Sequence, residues 1–116
     1  MSKSEAAAIK KVSVRIDTNI KSEFERVLGE IGLDPTNAMR SFTFQVARTK
    51  ALPFEMDSFE FETSGKTSVT AFKAPKETVT DANVILQGLG LNFSSAVRAL
   101  ALQTIHQGAL PFRPGA

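Results

Sequence analysis

IGLDPTNAMRSFTFQVARTKALPF, residues 31–54, aligns without a gap onto LGLNFSSAVRALALQTIHQGALPF, residues 89–112, at a fixed offset of 58. Nine of the 24 positions are identical, among them Gly32/Gly90, Arg40/Arg98 and the closing Ala-Leu-Pro-Phe of each copy. An internal repeat decides the fold before any local signal does. Two copies are too few for a solenoid. They indicate a unit that needs a partner like itself, carried twice on one chain.

Upstream of the first copy, Val12-Ser13-Val14-Arg15-Ile16 alternates apolar and polar residues, the period of a strand with one wet face. Asp17 or Thr18 then offers an N-cap. Ile20, Phe24, Val27, Leu28 and Ile31 follow at helical spacing on one stripe, and Gly32 closes that helix. Asp34-Pro35 opens a second helix, with Asp as cap and Pro in the first turn. Met39, Phe42, Thr43 and Val46 form its inner face, and Pro53 stops it.

The second copy repeats the order. Thr70, Phe72 and Ala74 align with Val12, Val14 and Ile16. Pro75 suits the first turn of the next helix, with a capping box from Thr78 and Asp81. Ala82, Ile85, Leu86 and Leu89 make its stripe, and Gly90 ends it. Asn92 caps the last helix, whose inner face is Val97, Leu100, Ala101 and Thr104.

A lone strand leaves both edges unpaired, and a unit of this size has too little core to stand alone. The economical arrangement pairs strand 11–16 with strand 69–74 as an antiparallel ribbon over four helices. The expected fold is mostly α with a short antiparallel β-ribbon, β-α-α twice. An N-terminal arm spans 1–10, the units 11–54 and 69–112, an acidic connector 55–68 and a tail 113–116.

Composition bounds the function. Hydrophobic residues make up 42% of the 116, there is no cysteine, and the net charge is +2. Disulfides and thiolate metal sites are excluded. No apolar run has the length of a membrane span and no signal-peptide core begins the chain, so a cytoplasmic protein without membrane partners is expected. The charge is unevenly placed. Residues 1–54 carry nine basic and six acidic residues, 55–68 one and four, and 69–116 four and two. Two basic modules flanking an acidic connector suit an anionic partner. No nucleophile–base pair, phosphate loop or paired carboxylate set emerges. His106 stands alone, so neither a metal nor another cofactor, nor enzymatic activity, is expected.

Strand alternation sends Lys11, Ser13 and Arg15, with Val69, Ala71 and Lys73, away from the core. A two-stranded ribbon fits the DNA major groove. There Arg15 can fork onto guanine, Lys73 can reach it as a point charge, Ser13 can donate or accept, and Ala71 can only touch a thymine methyl. The alternative is a wet face whose charges prevent edge aggregation. Pro35-Thr36-Asn37 and Phe93-Ser94-Ser95 open the second helices, whose amides can hold flanking phosphates or be used up in capping. Arg40 and Arg98 suit backbone contact or helix packing. Lys3, Lys10 and Lys21 suit nonspecific attraction or solubility. In the connector, Met56, Phe59 and Phe61 form either an acidic-aromatic peptide that docks on a basic partner or a strap over the helices.

Strand 12–17, the run Gly32 to Arg40 and the close Lys50-Ala51-Leu52-Pro53-Phe54 resemble the RelB/DinJ antitoxins of bacterial toxin–antitoxin systems, of the ribbon-helix-helix class. The likeness is faint over 69–112. It implies a double-stranded DNA operator, autoregulation as a repressor and a cognate toxin. Family members usually carry one unit and homodimerise, so two units imply a pseudo-dimer on one chain, able to associate further on adjacent half-sites. In the family the neutralising segment follows Ala-Leu-Pro-Phe. Here four residues follow the second copy, so the connector serves instead, neutralisation is lost, or the sequence is part of a longer one.

Overall fold

The computed structural model describes residues 8–55 and 61–113. In chain order the elements are β1 (Ile9–Asp17), α1 (Thr18–Glu30), α2 (Pro35–Thr49), β2 (Thr67–Pro75), α3 (Lys76–Gly88) and α4 (Phe93–Gln107). The two strands form one antiparallel sheet. Both are longer than the sequence suggested, taking Ile9 and Lys10 from the expected arm and Thr67 and Ser68 from the expected connector.

The register has a property tied to the repeat. Ser13 faces Ala71, which is also the residue 58 positions further on. The ladder is therefore centred on a residue and its own counterpart. β1 and β2 have nine residues each, α1 and α3 thirteen, α2 and α4 fifteen. Packing crosses between the halves: α1 lies against α4 and α2 against α3.

One face of the sheet supplies the roof of the core. Val12, Val14, Ile16, Phe72 and Ala74 are buried there over Ile20, Phe24, Leu28, Met39, Phe42, Val46, Leu86, Val97 and Leu100. Phe42 is fully buried, and the two Ala-Leu-Pro-Phe ends converge on it. Its ring centroid lies 5.8 Å from Phe54 and 6.2 Å from Phe112. Thr43 and Thr104 enter this apolar interior because each hydroxyl donates to the carbonyl four residues back, at 2.9 and 2.8 Å, which satisfies it locally.

Several local expectations need correction. Ile31 and Leu89 lie past their helices and are exposed. The turn at Gly32 and Gly90 (φ +76° and +79°) redirects the chain one residue later. Helix α2 ends before Pro53, at Lys50, whose left-handed φ of 59° closes the last turn. Pro75 is the N-cap of α3 and not its first turn. Thr78 and Asp81 fall inside the helix, which has no side-chain cap.

Among the described residues no single helix is long and apolar enough to cross a membrane. α3 and α4 have the length and apolarity jointly, but they meet at 84°.

Candidate nucleic-acid interface

The face of the sheet turned away from the core carries Lys11, Ser13 and Arg15 from β1 and Val69, Ala71 and Lys73 from β2. All are exposed but Ala71, which is half-buried. The register sets Lys11 opposite Lys73, Ser13 opposite Ala71 and Arg15 opposite Val69. Facing side chains in such a ladder start about 5 Å apart, and like charges directly opposite destabilise it. The Lys11–Lys73 pair is such a placement. Asp17, the acidic residue at the end of this face, is committed elsewhere.

Other cations are treated differently. On α1, Lys21 meets Glu25 at 2.9 Å, and Arg26 meets Glu30 at 2.7 Å and also bonds Glu23. The hydrogen bond from Arg26 pulls the Glu23 carboxyl below its usual range, partial burial opposes this, and the guanidinium charge adds to it. The same partners raise Arg26. Lys11, Arg15 and Lys73 make no such pair among the described residues. The α1 cations are neutralised within the fold, and the ribbon cations are left to solvent.

A two-stranded sheet has two open edges, whose amides and carbonyls need partners. Each edge is held by the first turns of a helix. At β1 the Arg15 amide donates to Ser94 Oγ on α4, at 3.1 Å. At β2 the Lys73 carbonyl accepts from Arg40 Nε on α2, at 2.7 Å, while Arg40 Nη1 donates to Asn37 Oδ1 at 2.7 Å. Lys11, Thr36, Arg40, Ala71, Phe72 and Lys73 together line a shallow cleft. The helix N-termini thus flank the ribbon on both sides.

Capping uses part of those N-termini. The Asn37 amide donates to Asp34 Oδ2 at 3.3 Å, and the Ser95 amide to Asn92 Oδ1 at 2.8 Å. The Asn92 amide donates back to Ser95 Oγ at 3.0 Å, completing a capping box. Pro35 has no amide hydrogen. At the starts of α2 and α4 the first-turn amides left uncapped among the described residues are those of Thr36, Phe93 and Ser94. Phe93 itself is half-buried, with its ring edge-on to Phe72 at 6.2 Å. The Ser94 oxygen accepts from β1, and its hydroxyl hydrogen remains available to an anion.

The connector's end is a strap on α1. Phe61 is half-buried against the core. The Glu62 carbonyl accepts from Asn19 Nδ2 at 3.2 Å. Asp17 is the hub. Its carboxylate caps α1 through the amides of Asn19 and Ile20, at 2.9 and 3.3 Å. It also accepts from the Ser64 amide at 2.9 Å, the Ser64 hydroxyl at 3.2 Å and the Gly65 amide at 3.2 Å. Desolvation works against its charge, and the bonds from Ile20, Ser64 and Asn19 outweigh it, holding the carboxyl below its usual range. Met56 and Phe59 lie outside the described residues.

The structure therefore brings Lys11, Ser13, Arg15, Ala71 and Lys73 onto one surface, with Thr36, Asn37, Ser94 and Ser95 in the turns beside it. Phe61 sits elsewhere, on the flank of α1. Arg40 as an edge clamp and Asp17 as a connector clamp are additions. The repetition of Arg40 at Arg98 was a visible signal, but its role depends on which strand α2 flanks. No group of metal-ligating side chains occurs among the described residues.

A two-stranded sheet over four helices with this cationic face is the setting of the family match. The chain belongs to the RelB antitoxin family, whose model matches residues 9–74, from β1 through β2. Membership implies a cognate toxin as partner. No curated protein and no solved structure matches the chain.

Proposed function

We propose that the chain is a DNA-binding, antitoxin-type autoregulator in which the two halves form a ribbon-helix-helix pseudo-dimer. Three facts support the pseudo-dimer: the ladder centred on Ser13 and its counterpart Ala71, the equal element lengths, and the crossed packing of α1 on α4 and α2 on α3. The outward face enters the major groove of an operator. Arg15 forks onto guanine O6 and N7, Lys73 adds charge at the counterpart position, and Ser13 bonds a base edge. The amides of Thr36, Phe93 and Ser94 hold the flanking phosphates.

The observation that carries this reading is the unpaired set Lys11, Lys73 and Arg15. Two lysines face each other across the ladder at a cost, on a surface with no available carboxylate, whereas the α1 cations Lys21 and Arg26 are neutralised by neighbouring glutamates. A polyanion removes that cost.

The face is not symmetric. The counterpart of Lys11 is Val69 and that of Ser13 is Ala71. One chain therefore reads an asymmetric element, with β1 the more discriminating strand, and adjacent elements admit a second chain. The test is equilibrium binding to duplex from upstream of the chain's own reading frame, with solution mass measured in parallel. A 12.6-kDa monomer that binds with affinity falling steeply in salt supports the proposal. Salt-independent binding, or a folded state found only in dimers, contradicts it.

A further inference from the structure

Arg40 and Arg98 are counterparts at the offset of 58, each the sixth residue of its helix. The fold treats them differently. Arg40 is half-buried and spends two nitrogens on the protein, Nε on the Lys73 carbonyl and Nη1 on Asn37 Oδ1, both at 2.7 Å. Arg98 is exposed and makes no hydrogen bond or ion pair among the described residues.

The difference has a local cause. Three residues before Arg40 stands Asn37, whose side-chain oxygen accepts from the guanidinium. Three residues before Arg98 stands Ser95, whose hydroxyl is engaged with Asn92 in the capping box. One anchor of Arg40 therefore has no free equivalent beside Arg98. The edge of β1 is also closed without it, by Ser94 Oγ on the Arg15 amide.

The place of Arg98 points to the ribbon. Residues four apart share a helix face, so Arg98 lies one turn behind Ser94. Helix side chains lean toward the N-terminus, which carries the guanidinium back toward the turn that touches β1. The first-turn amides of Phe93 and Ser94 are uncapped there. The two caps differ as well: α2 begins on the carboxylate of Asp34, and α4 on the neutral Asn92. The start of α4 thus combines free N–H donors with an uncommitted guanidinium and has no carboxylate in its cap.

We infer that Arg98 grips an operator phosphate beside β1, its planar fork taking two phosphate oxygens, while Arg40 serves the fold by holding the Lys73 edge. The inference rests on the DNA reading proposed above and gives it a direction. Base discrimination by Arg15 and the forked phosphate contact fall on the same side of the ribbon, so the chain sits on its element in one orientation.

The test uses the full chain and duplex from upstream of its own reading frame. Binding of the parent, Arg98→Ala and Arg40→Ala is measured by anisotropy over a salt series, and phosphate contacts are mapped by ethylation interference. Arg98→Ala should weaken binding evenly across single-base changes in the duplex. It should make the slope of log affinity against log salt shallower by about 0.9 and erase interference at one phosphate. Its thermal melt should match that of the parent. Arg40→Ala should lower the melt and keep that phosphate. An unchanged slope and interference pattern in Arg98→Ala overturn the inference, as does a lowered melt in that variant. So does the reverse pattern, with the phosphate lost in Arg40→Ala and kept in Arg98→Ala. Each of these leaves parent binding intact and rejects the role of Arg98 alone. A folded parent chain whose binding is absent or independent of salt rejects the DNA reading beneath the inference, and the inference with it.

Discussion

Replacing Arg15 with alanine separates the two jobs its position performs. The backbone amide holds the β1 edge through Ser94, and alanine keeps that amide. The side chain is exposed, faces Val69 and has no ion pair among the described residues. Folding stability should therefore change by no more than about 0.5 kcal/mol, as for surface sites without special contacts. A forked contact to guanine contributes about 1–3 kcal/mol of discrimination. At about 1.4 kcal/mol per decade, this is a loss of roughly 5- to 150-fold in preference at one base pair. Arg15→Lys keeps the charge and loses the fork, so it should lose most of the discrimination and little of the overall affinity. The assay is anisotropy against an operator series with single-base changes, alongside a thermal melt. Equal weakening on every sequence would refute the reasoning by placing Arg15 on the phosphates. A large fall in melting temperature would refute the assignment of the side chain to solvent.

Phe42→Ala removes the buried ring on which Phe54 and Phe112 converge, and should cost about 3–5 kcal/mol in urea denaturation; a cost below about 1 kcal/mol would contradict its place in the core. Lys50 and Gly108 are counterparts and both adopt the left-handed cap, at φ 59° and 71°. Lys50→Gly should therefore stabilise the chain by up to about 1 kcal/mol, and destabilisation would show that the lysine cap is not strained. The lowered carboxyl of Asp17 gives stability that is full above its unfolded value near 3.8 and is lost as pH falls through the folded value. Asp17→Asn should flatten that acid limb in denaturation curves taken between about pH 2 and 6, leaving a remainder from Glu23, which shifts in the same direction; an unchanged acid limb would contradict the hub role.

The parts of the fold that sequence revealed are those written in short-range periodicity. Alternation at Val12, Val14 and Ile16 placed the sheet's buried face, and the side chains of Asp34 and Asn92 marked both second-helix starts. The offset of 58 pointed to two like units and so to antiparallel pairing of their strands, but not to the register, which sets Ser13 opposite Ala71. The failures share a cause. Pro53 is a strong helix breaker, but Lys50 ends the helix first by entering a conformation that sequence does not associate with lysine. Thr78 and Asp81 match a capping pattern, yet the strand runs to Pro75 and the helix begins at once. Ile31 and Leu89 continue the helical period on paper, and the glycine that follows each ends the helix before they reach the core.

The site was legible as a surface and not as a network. Which strand residues face outward follows from alternation. That Ser94 and Arg40 close the ribbon's open edges depends on where α4 and α2 are delivered by packing, which no local pattern encodes. The need itself was predictable, since every edge strand must satisfy or shield its free backbone groups. Asp17 likewise read as a helix cap, and its grip on Ser64 and Gly65 joins residues nearly fifty positions apart.

The claim that a surface built from both halves reads the major groove is tested most directly by methylation interference on the bound operator. Guanine N7 lies in the major groove and adenine N3 in the minor. The account predicts that methylation at guanine N7 within the element abolishes binding, and that Arg15→Ala removes this sensitivity at one guanine. Interference confined to adenine N3, or none at all with binding intact, would contradict it.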